Sequence, residues 1–364
     1  MRKALLVLLF AAVLSLSGCI NWMDGSYVSV TPYREPSAQE DQTMLSAATY
    51  MQLRDVLVDM VENGRESCLI SVSNMGEHLI TPYMNQAITH ATRENPIGAY
   101  AVDQITYELG TISGGHSALA VSITYNHNRA EIRGIKECDT MDNASRQISQ
   151  ALNNCEAGVV LLIQDYRDTD FTQQIRDYAD DYPEYVMELP QVSVNMYPEK
   201  GSVRLVELQF TYQTSRESLR DMQNRVKPLF DSARLYVSGE ASAREQYALL
   251  YAFLMERATY EIQTSITPSY SLLHHGVGDS RAFAVVYAGM CRWAGLEAMV
   301  VSGMVDGAPR VWNIICCDGV YYHLDLLRCN EQGRMSILAD HQMQGYVWDY
   351  SAYPACGVSV TSEE

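Results

Sequence analysis

The stretch HHGVGDSRAFAVVYAGMCRWAGLEAMVVSG, His274 to Gly303, places Ser280 behind a glycine-rich turn and at the head of an apolar helical pattern. A hydroxyl or thiol there sits in the field of a helix N-terminus, a setting used for nucleophiles. A helix field of about 1 kcal/mol cannot ionise a serine, so Ser280 needs a base within hydrogen-bond reach. Arg310 cannot be that base, because a guanidinium stays protonated and has no acceptor. His323 lies two positions before Asp325, so both would share one face of a strand, and a Ser280, His323, Asp325 set is one arrangement to test. Two others need no base. In one, Ser280 caps the helix and Arg310 forms a salt bridge with Asp325. In the other, Ser280, Arg310, Trp312 and Asp325 line a pocket for a carboxylate or phosphate. Cys291, three turns into the helix, reads as a core thiol, and His274 and His275 as exposed loop residues.

These side chains need a helix and facing strands. Ser242-Ala243-Arg244-Glu245 is a capping box ahead of Tyr247, Leu250, Tyr251 and Leu254 on one helical face. The pattern then predicts a helix over Ser280 to Ala294 and strands over Glu297 to Met304, Arg310 to Cys317 and Val320 to Leu327. Turns at Asp306-Gly307 and Asp318-Gly319 separate the strands, giving a helix packed on an antiparallel meander. Upstream, Leu53, Val56, Leu57, Met60 and Val61 mark a helix closed by Asn63-Gly64. Cys68 to Val72 reads as a strand, Pro82 opens a second helix, and a hairpin turns at Gly114-Gly115. The same order returns in the next hundred residues. Shifted by 87 positions, Leu119, Val121, Ile123, Thr124 and Tyr125 fall on Val206, Leu208, Phe210, Thr211 and Tyr212. The expected class is α+β: αβαββ modules over 44–138 and 139–235, then a C-terminal domain over 236–364.

The C-terminal residues resemble the transglutaminase-like superfamily, whose fold is related to papain-type cysteine proteases and whose members read, in outline, YxxLxxGxGVCxGYAxAF, AGIPxxxVSG and HAWNxVxxDGxWYxVD. Tyr270, Leu273, Gly276 and Gly278 match the approach to the nucleophile, and Ala284, Ala294-Gly295-Leu296 and Val301-Ser302-Gly303 match the helix and first strand. Trp312-Asn313, Asp318-Gly319, Tyr321-Tyr322 and Asp325 match the remaining strands. The tail, Tyr346 to Cys356, is similar to the ending of many bacterial lipoprotein members. The resemblance implies a Cys, His, Asp triad, but in register this chain places Ser280 at the cysteine and Arg310 at the histidine. Only Asp325 is retained. These departures imply a catalytically inactive, pseudoenzyme domain that binds or scaffolds a peptide, protein or cell-wall ligand. The alternative is a weak hydrolase or acyltransferase using Ser280.

Met1-Arg2-Lys3, the apolar run Ala4 to Leu16 and Leu16-Ser17-Gly18-Cys19 resemble a bacterial lipoprotein signal with its lipobox. This implies a signal peptide over 1–18, lipidated Cys19, a tether over 19–43, and a lipid anchor on the extracytoplasmic face of a membrane. The formal charge of −18, from 26 basic and 44 acidic residues, argues against nucleic acid as a partner. Eight further cysteines in an exported chain permit disulfides, and Cys138 with Cys155 and Cys329 with Cys356 are the pairs to test. No metal site or cofactor is expected. Adjacent Cys316 and Cys317 point to opposite faces of a strand, and Asn143-Ala144-Ser145 reads as helix-capping residues.

Overall fold

The computed structural model describes residues 44–112, 115–237 and 242–357. The expected signal peptide, tether and lipidated Cys19 lie outside the described residues. No described helix is long and apolar enough to cross a membrane.

The first unit runs β1 (Leu45–Ser46), α1 (Tyr50–Glu62), β2 (Ser67–Ser71), α2 (Glu77–Thr89), a π-helical turn (His90–Glu94), α3 (Pro96–Ala101), β3 (Val102–Ile112) and β4 (His116–Tyr125). After a linking helix α4 (Arg129–Arg133) come β5 (Lys136–Cys138), α5 (Met141–Asn153), β6 (Gly158–Ile163), α6 (Phe171–Asp181), β7 (Gln191–Tyr197) and β8 (Arg204–Thr211). The sheets have orders β1-β2-β4-β3 and β5-β6-β8-β7. Their registers coincide as well. Leu45 pairs in parallel with Ile70 and Lys136 with Leu161, each 91 positions on, while Tyr107 opposite Val121 becomes Val194 opposite Leu208, each 87 on.

The helix ends repeat too. Thr49 accepts from the Gln52 backbone N–H and Thr140 from that of Asn143, both at 3.3 Å. Asn63 and Asn154 then close α1 and α5, each followed by a left-handed residue, Gly64 (φ 61°) and Cys155 (φ 49°). In α1 the residues at helical spacing, Leu53, Leu57, Met60 and Val61, are all buried against the sheet.

Several expectations change. Pro82 lies inside α2, which starts after Gly76. Thr140 rather than Asn143 caps α5. β5 pairs with β6, so the second unit begins before Lys136 and not after Cys138. The long helix α7 (Arg216–Tyr236) is not marked by the sequence pattern. Its Leu219, Val226, Phe230 and Ala233 pack with Phe283 and Tyr287, so it belongs to the C-terminal core rather than to the second unit.

That core continues with α8 (Ala243–Met255), β9 (Thr259–Tyr260), α9 (Pro268–Tyr270), a π-helical turn (Ser271–His275), β10 (Val277–Gly278) and α10 (Ser280–Trp293). The turn makes His274 and His275 helical, although both are exposed. Then come β11 (Ala298–Val305), β12 (Ala308–Cys317), β13 (Val320–Leu324), α11 (Leu326–Glu331) and β14 (Tyr346–Trp348), with sheet order β13-β12-β11-β14. The capping box at Ser242 and Glu245 forms as the sequence predicts. Helix α10 is buried from Ala282 to Cys291, and Phe283 and Tyr287, each worth about 2 kcal/mol of burial, anchor it.

Candidate functional site

Gly276 takes the left-handed φ of 75° that ends the turn, and at Gly278 a Cβ would lie 2.8 Å from Leu272 and 2.9 Å from Ala282. These glycines set the chain entering α10. Asp279 is the N-cap, its Oδ1 accepting from the Ala282 backbone N–H at 2.9 Å. Ser280 is therefore the first helical residue and not the cap. Its Oγ instead accepts from the Val311 N–H of β12 at 3.3 Å, joining helix to sheet.

Asn313 reinforces that junction, its Nδ2 donating to the carbonyls of Ala284 and Met299. Opposite Arg310 stands Gly303, where a Cβ would lie 2.3 Å from the Val347 carbonyl and 2.7 Å from the Trp312 ring. Only glycine fits there, which gives the Ser302-Gly303 motif a packing reason.

Arg310 and Asp325 are brought together. Nε donates to Oδ2 at 3.0 Å and Nη2 to Oδ1 at 3.1 Å, with side chains 17% and 2% exposed. Burial pulls the guanidinium's pKa down, but its hydrogen bonds and charge attraction to Asp325 outweigh this and raise it. Asp325 is not on the strand that the sequence predicts to Leu327, since β13 ends at Leu324. It is the N-cap of α11, its Oδ1 accepting from the backbone N–H groups of Leu327 and Arg328 while Oδ2 accepts from the Tyr346 hydroxyl at 2.8 Å. Five donors thus converge on one carboxylate.

The anion pocket expected from Ser280, Arg310, Trp312 and Asp325 is not formed as an open site. Trp312 is 1% exposed and its Nε1 donates to His323 Nδ1 at 3.0 Å. Two of the three guanidinium nitrogens are directed to Asp325, and the serine oxygen accepts from Val311. The Ser280, His323, Asp325 arrangement is not formed either, because His323 is bonded to Trp312 and Asp340.

His323, Asp340 and Cys356 form a cluster that no sequence pattern marks, with one polar atom from each within 4.8 Å of the others. An indole N–H only donates, so His323 Nδ1 must accept, and Nε2 carries the proton directed at Asp340 Oδ1 at 2.9 Å. A metal would need the lone pair that Nε2 then lacks, so the trio is a clasp rather than a metal centre. It holds the tail through the Cys356 N–H donating to Asp340 Oδ2. Burial, then the Asp340 charge, push the Cys356 thiol up to about 12, far from nucleophilic. Burial also pushes the His323 imidazole below the usual range, with Asp340 opposing. Below about pH 6.5 the unfolded chain binds a proton that the folded ring resists, so stability is full above that pH and falls as pH drops. The parent should lose more Tm than His323→Gln between pH 7.5 and 5.5; equal losses would contradict a neutral, buried ring.

Neither of the two cysteine pairs to test, Cys138 with Cys155 and Cys329 with Cys356, is bonded in this structure. All eight cysteines of the described residues are free thiols, and Cys329 Sγ accepts from the Ser336 N–H instead. Cys291 is fully buried, with its thiol raised by desolvation.

The other face of α10 clamps the second unit. Arg281 Nη2 reaches both Asp180 oxygens at 2.6 and 2.7 Å, Arg292 pairs with buried Glu184 over the Tyr182 ring, and Gly289 admits Pro183. Beside this clamp lies a cavity of about 240 Å³, lined by Val186, Leu189, Ile266, Pro268, Arg281 and Asp180 among others.

Residues 232–332 match the family profile of the transglutaminase-like superfamily. No curated protein matches the chain by sequence. Among solved structures, a TGase aligns at 11% identity and TM-score 0.27 over 57% of this chain and 60% of its own. A candidate cysteine protease from Cytophaga hutchinsonii aligns at 11% and 0.26 over 43% of this chain and 70% of its own. A candidate protease from Parabacteroides distasonis aligns at 11% and 0.23 over 71% of this chain and 40% of its own. The chain thus spans three fifths of the length of the first of these relatives. With a buried helix on an antiparallel sheet around Ser280, Arg310 and Asp325, residues 232–332 form a domain of the transglutaminase-like superfamily.

Proposed function

We propose that the protein is a lipid-anchored extracytoplasmic lipoprotein whose transglutaminase-like domain works without covalent catalysis, as a binding or scaffold unit for a peptide, protein or cell-wall ligand. One observation carries the loss of catalysis. Where the family resemblance calls for a histidine, Arg310 is tied by two hydrogen bonds to Asp325. None of the three groups expected to serve is then free to accept the Ser280 proton: the guanidinium has no acceptor, the carboxylate already receives five donors, and His323 is engaged with Trp312 and Asp340. Losing the histidine function alone removes roughly three or more orders of magnitude of rate in enzymes of this chemistry. The cavity beside Arg281 supports a binding role, since apolar walls around a fixed ion pair suit a side chain that is mostly hydrocarbon.

Electrophilic serine probes, read by intact mass, should leave the parent unmodified and indistinguishable from Ser280→Ala. Labelling of the parent that vanishes in the variant would establish the alternative, a hydrolase or acyltransferase with Ser280 as nucleophile. The anchor rests on Leu16 to Cys19 and the apolar run before it. Cys19→Ser should move the protein from the membrane to the soluble fraction, and unchanged fractionation would rule lipidation out.

A further inference from the structure

The second sheet carries a cavity of about 340 Å³ to which the C-terminal domain contributes no lining residue, formed by Tyr100 of the first unit, Glu131 of the linking helix, and Glu156, Gly158, Val159 and Glu207 of the second, among others. Two features separate it from an ordinary acidic surface. Glu207 is 9% exposed, yet its partners are the neutral amides of Asn195 and Gln209, and it makes no ion pair among the described residues. A mostly buried carboxylate that lines a cavity without a cation beside it leaves a charge for a bound cation to compensate. Tyr100 is 6% exposed, and its hydroxyl has no hydrogen-bond partner among the described residues. Its ring is fixed by stacking on His127 (3.9 Å, 13°) and by the edge of Tyr197 at 5.6 Å, so the phenol is held in the cavity wall. Burial, followed by the charges of Glu207 and Glu131, raises the phenol to about 12, so it is neutral and able to donate or accept.

The repeat removes a folding explanation for these charges. By the matched registers, Glu207 stands where the first unit has Ala120, and Glu156 where it has Arg65. The same sheet is therefore built without them. A divalent ion is not the fitting occupant, because the three glutamates are not among the described groups whose ligand atoms come within 4.8 Å of one another. The spread carboxylates, the phenol and the aliphatic wall at Val159 and Leu208 suit a cation on a hydrocarbon stem. The sheet edge beside them is open, since β5 pairs with β6 only at Leu161 to Ile163 and leaves Gly158 to Val160 without that neighbour. Lys136 also lines the cavity but is exposed, and supplies one ammonium against three carboxylates.

We propose that this cleft between the two repeated units binds the ammonium group of a lysine side chain in an extended peptide, held by Glu207, Glu156 and Tyr100. The test uses the full chain and a peptide of alternating alanine and lysine, with its Nε-acetylated form and free butylammonium as comparison probes, followed by titration calorimetry. The lysine peptide should bind, acetylation should abolish binding, and Glu207→Gln should weaken it about tenfold, as expected for one charge-assisted contact. Tyr100→Phe, which keeps the stacked ring, should weaken it severalfold, and serves with Glu156→Gln if Glu207→Gln fails to fold. Equal binding of the acetylated peptide, no response to Glu156→Gln and Tyr100→Phe, or no binding of the parent at millimolar peptide would overturn the proposal. Butylammonium binding as tightly as the peptide would overturn the peptide assignment.

Discussion

Replacing Arg310 with alanine should destabilise the fold by about 3 to 5 kcal/mol, the cost of leaving a buried carboxylate without its counter-charge. Asp325 would keep three neutral donors, the N–H groups of Leu327 and Arg328 and the Tyr346 hydroxyl, but its side chain is 2% exposed and loses the guanidinium paired with it. Urea unfolding at pH 7, followed by far-UV circular dichroism, reads the loss directly. Arg310→Lys should fall between the parent and alanine, because an ammonium restores charge but not the two-point fork. A change below 1 kcal/mol for alanine would mean that the ion pair is not structural, and would reopen Arg310 as a ligand-binding or catalytic group. The size of the expected effect reflects the elements that Asp325 joins: it caps α11, receives the tail through Tyr346 and holds β12 through Arg310. Losing one cation disturbs three elements.

Much of this frame was legible in the sequence, and the failures have local physical causes. The capping box at Ser242 and Glu245 fixed a helix start because both halves of a reciprocal bond are visible as residue types. At Asp279-Ser280 two good capping residues stand side by side, and only geometry shows that Asp279 takes the N–H while Ser280 turns to Val311. Asp325-Leu326-Leu327 reads as the end of an apolar strand, since a short apolar run looks alike in a strand and in a buried helical turn. Asp325 as a cap was the available signal. The repeat was visible at β4 and β8 through alternating side chains, whereas Thr49 with Thr140 and Gly64 with Cys155 are matched by backbone role and emerge only from the fold. The clamp of Arg281 on Asp180 and Arg292 on Glu184 joins residues more than 100 positions apart, for which no local pattern exists. The cysteine state is open in the sequence for a similar reason, since eight thiols permit many connectivities and spacing selects none.

Ser280→Cys combined with Arg310→His should create a thiol that alkylates at pH 6 at least about tenfold faster than the Ser280→Cys single variant, read by peptide mass mapping with iodoacetamide. The single variant places a thiol at the first position of α10, where the helix field favours the thiolate, but Arg310 remains locked on Asp325. In the double variant Asp325 loses its guanidinium and can accept an imidazole N–H, which orients the ring and supports its protonated form beside the thiolate. Peptide mapping separates the new thiol from the native ones, of which half-buried Cys316 is the one to follow alongside it, since buried Cys291 and Cys356 carry thiols held well above the ordinary range. The double change also removes a buried ion pair, so a melt must first show that the variant is folded at the assay temperature. With a folded protein, a rate equal to the single variant would mean that position 310 does not reach position 280, and that the family alignment of Arg310 with the histidine is wrong in this chain. A tenfold gain without amidase activity would locate the remaining deficit in substrate binding, and would direct attention to the cavity lined by Val186, Ile266 and Arg281 on the other face of the same helix.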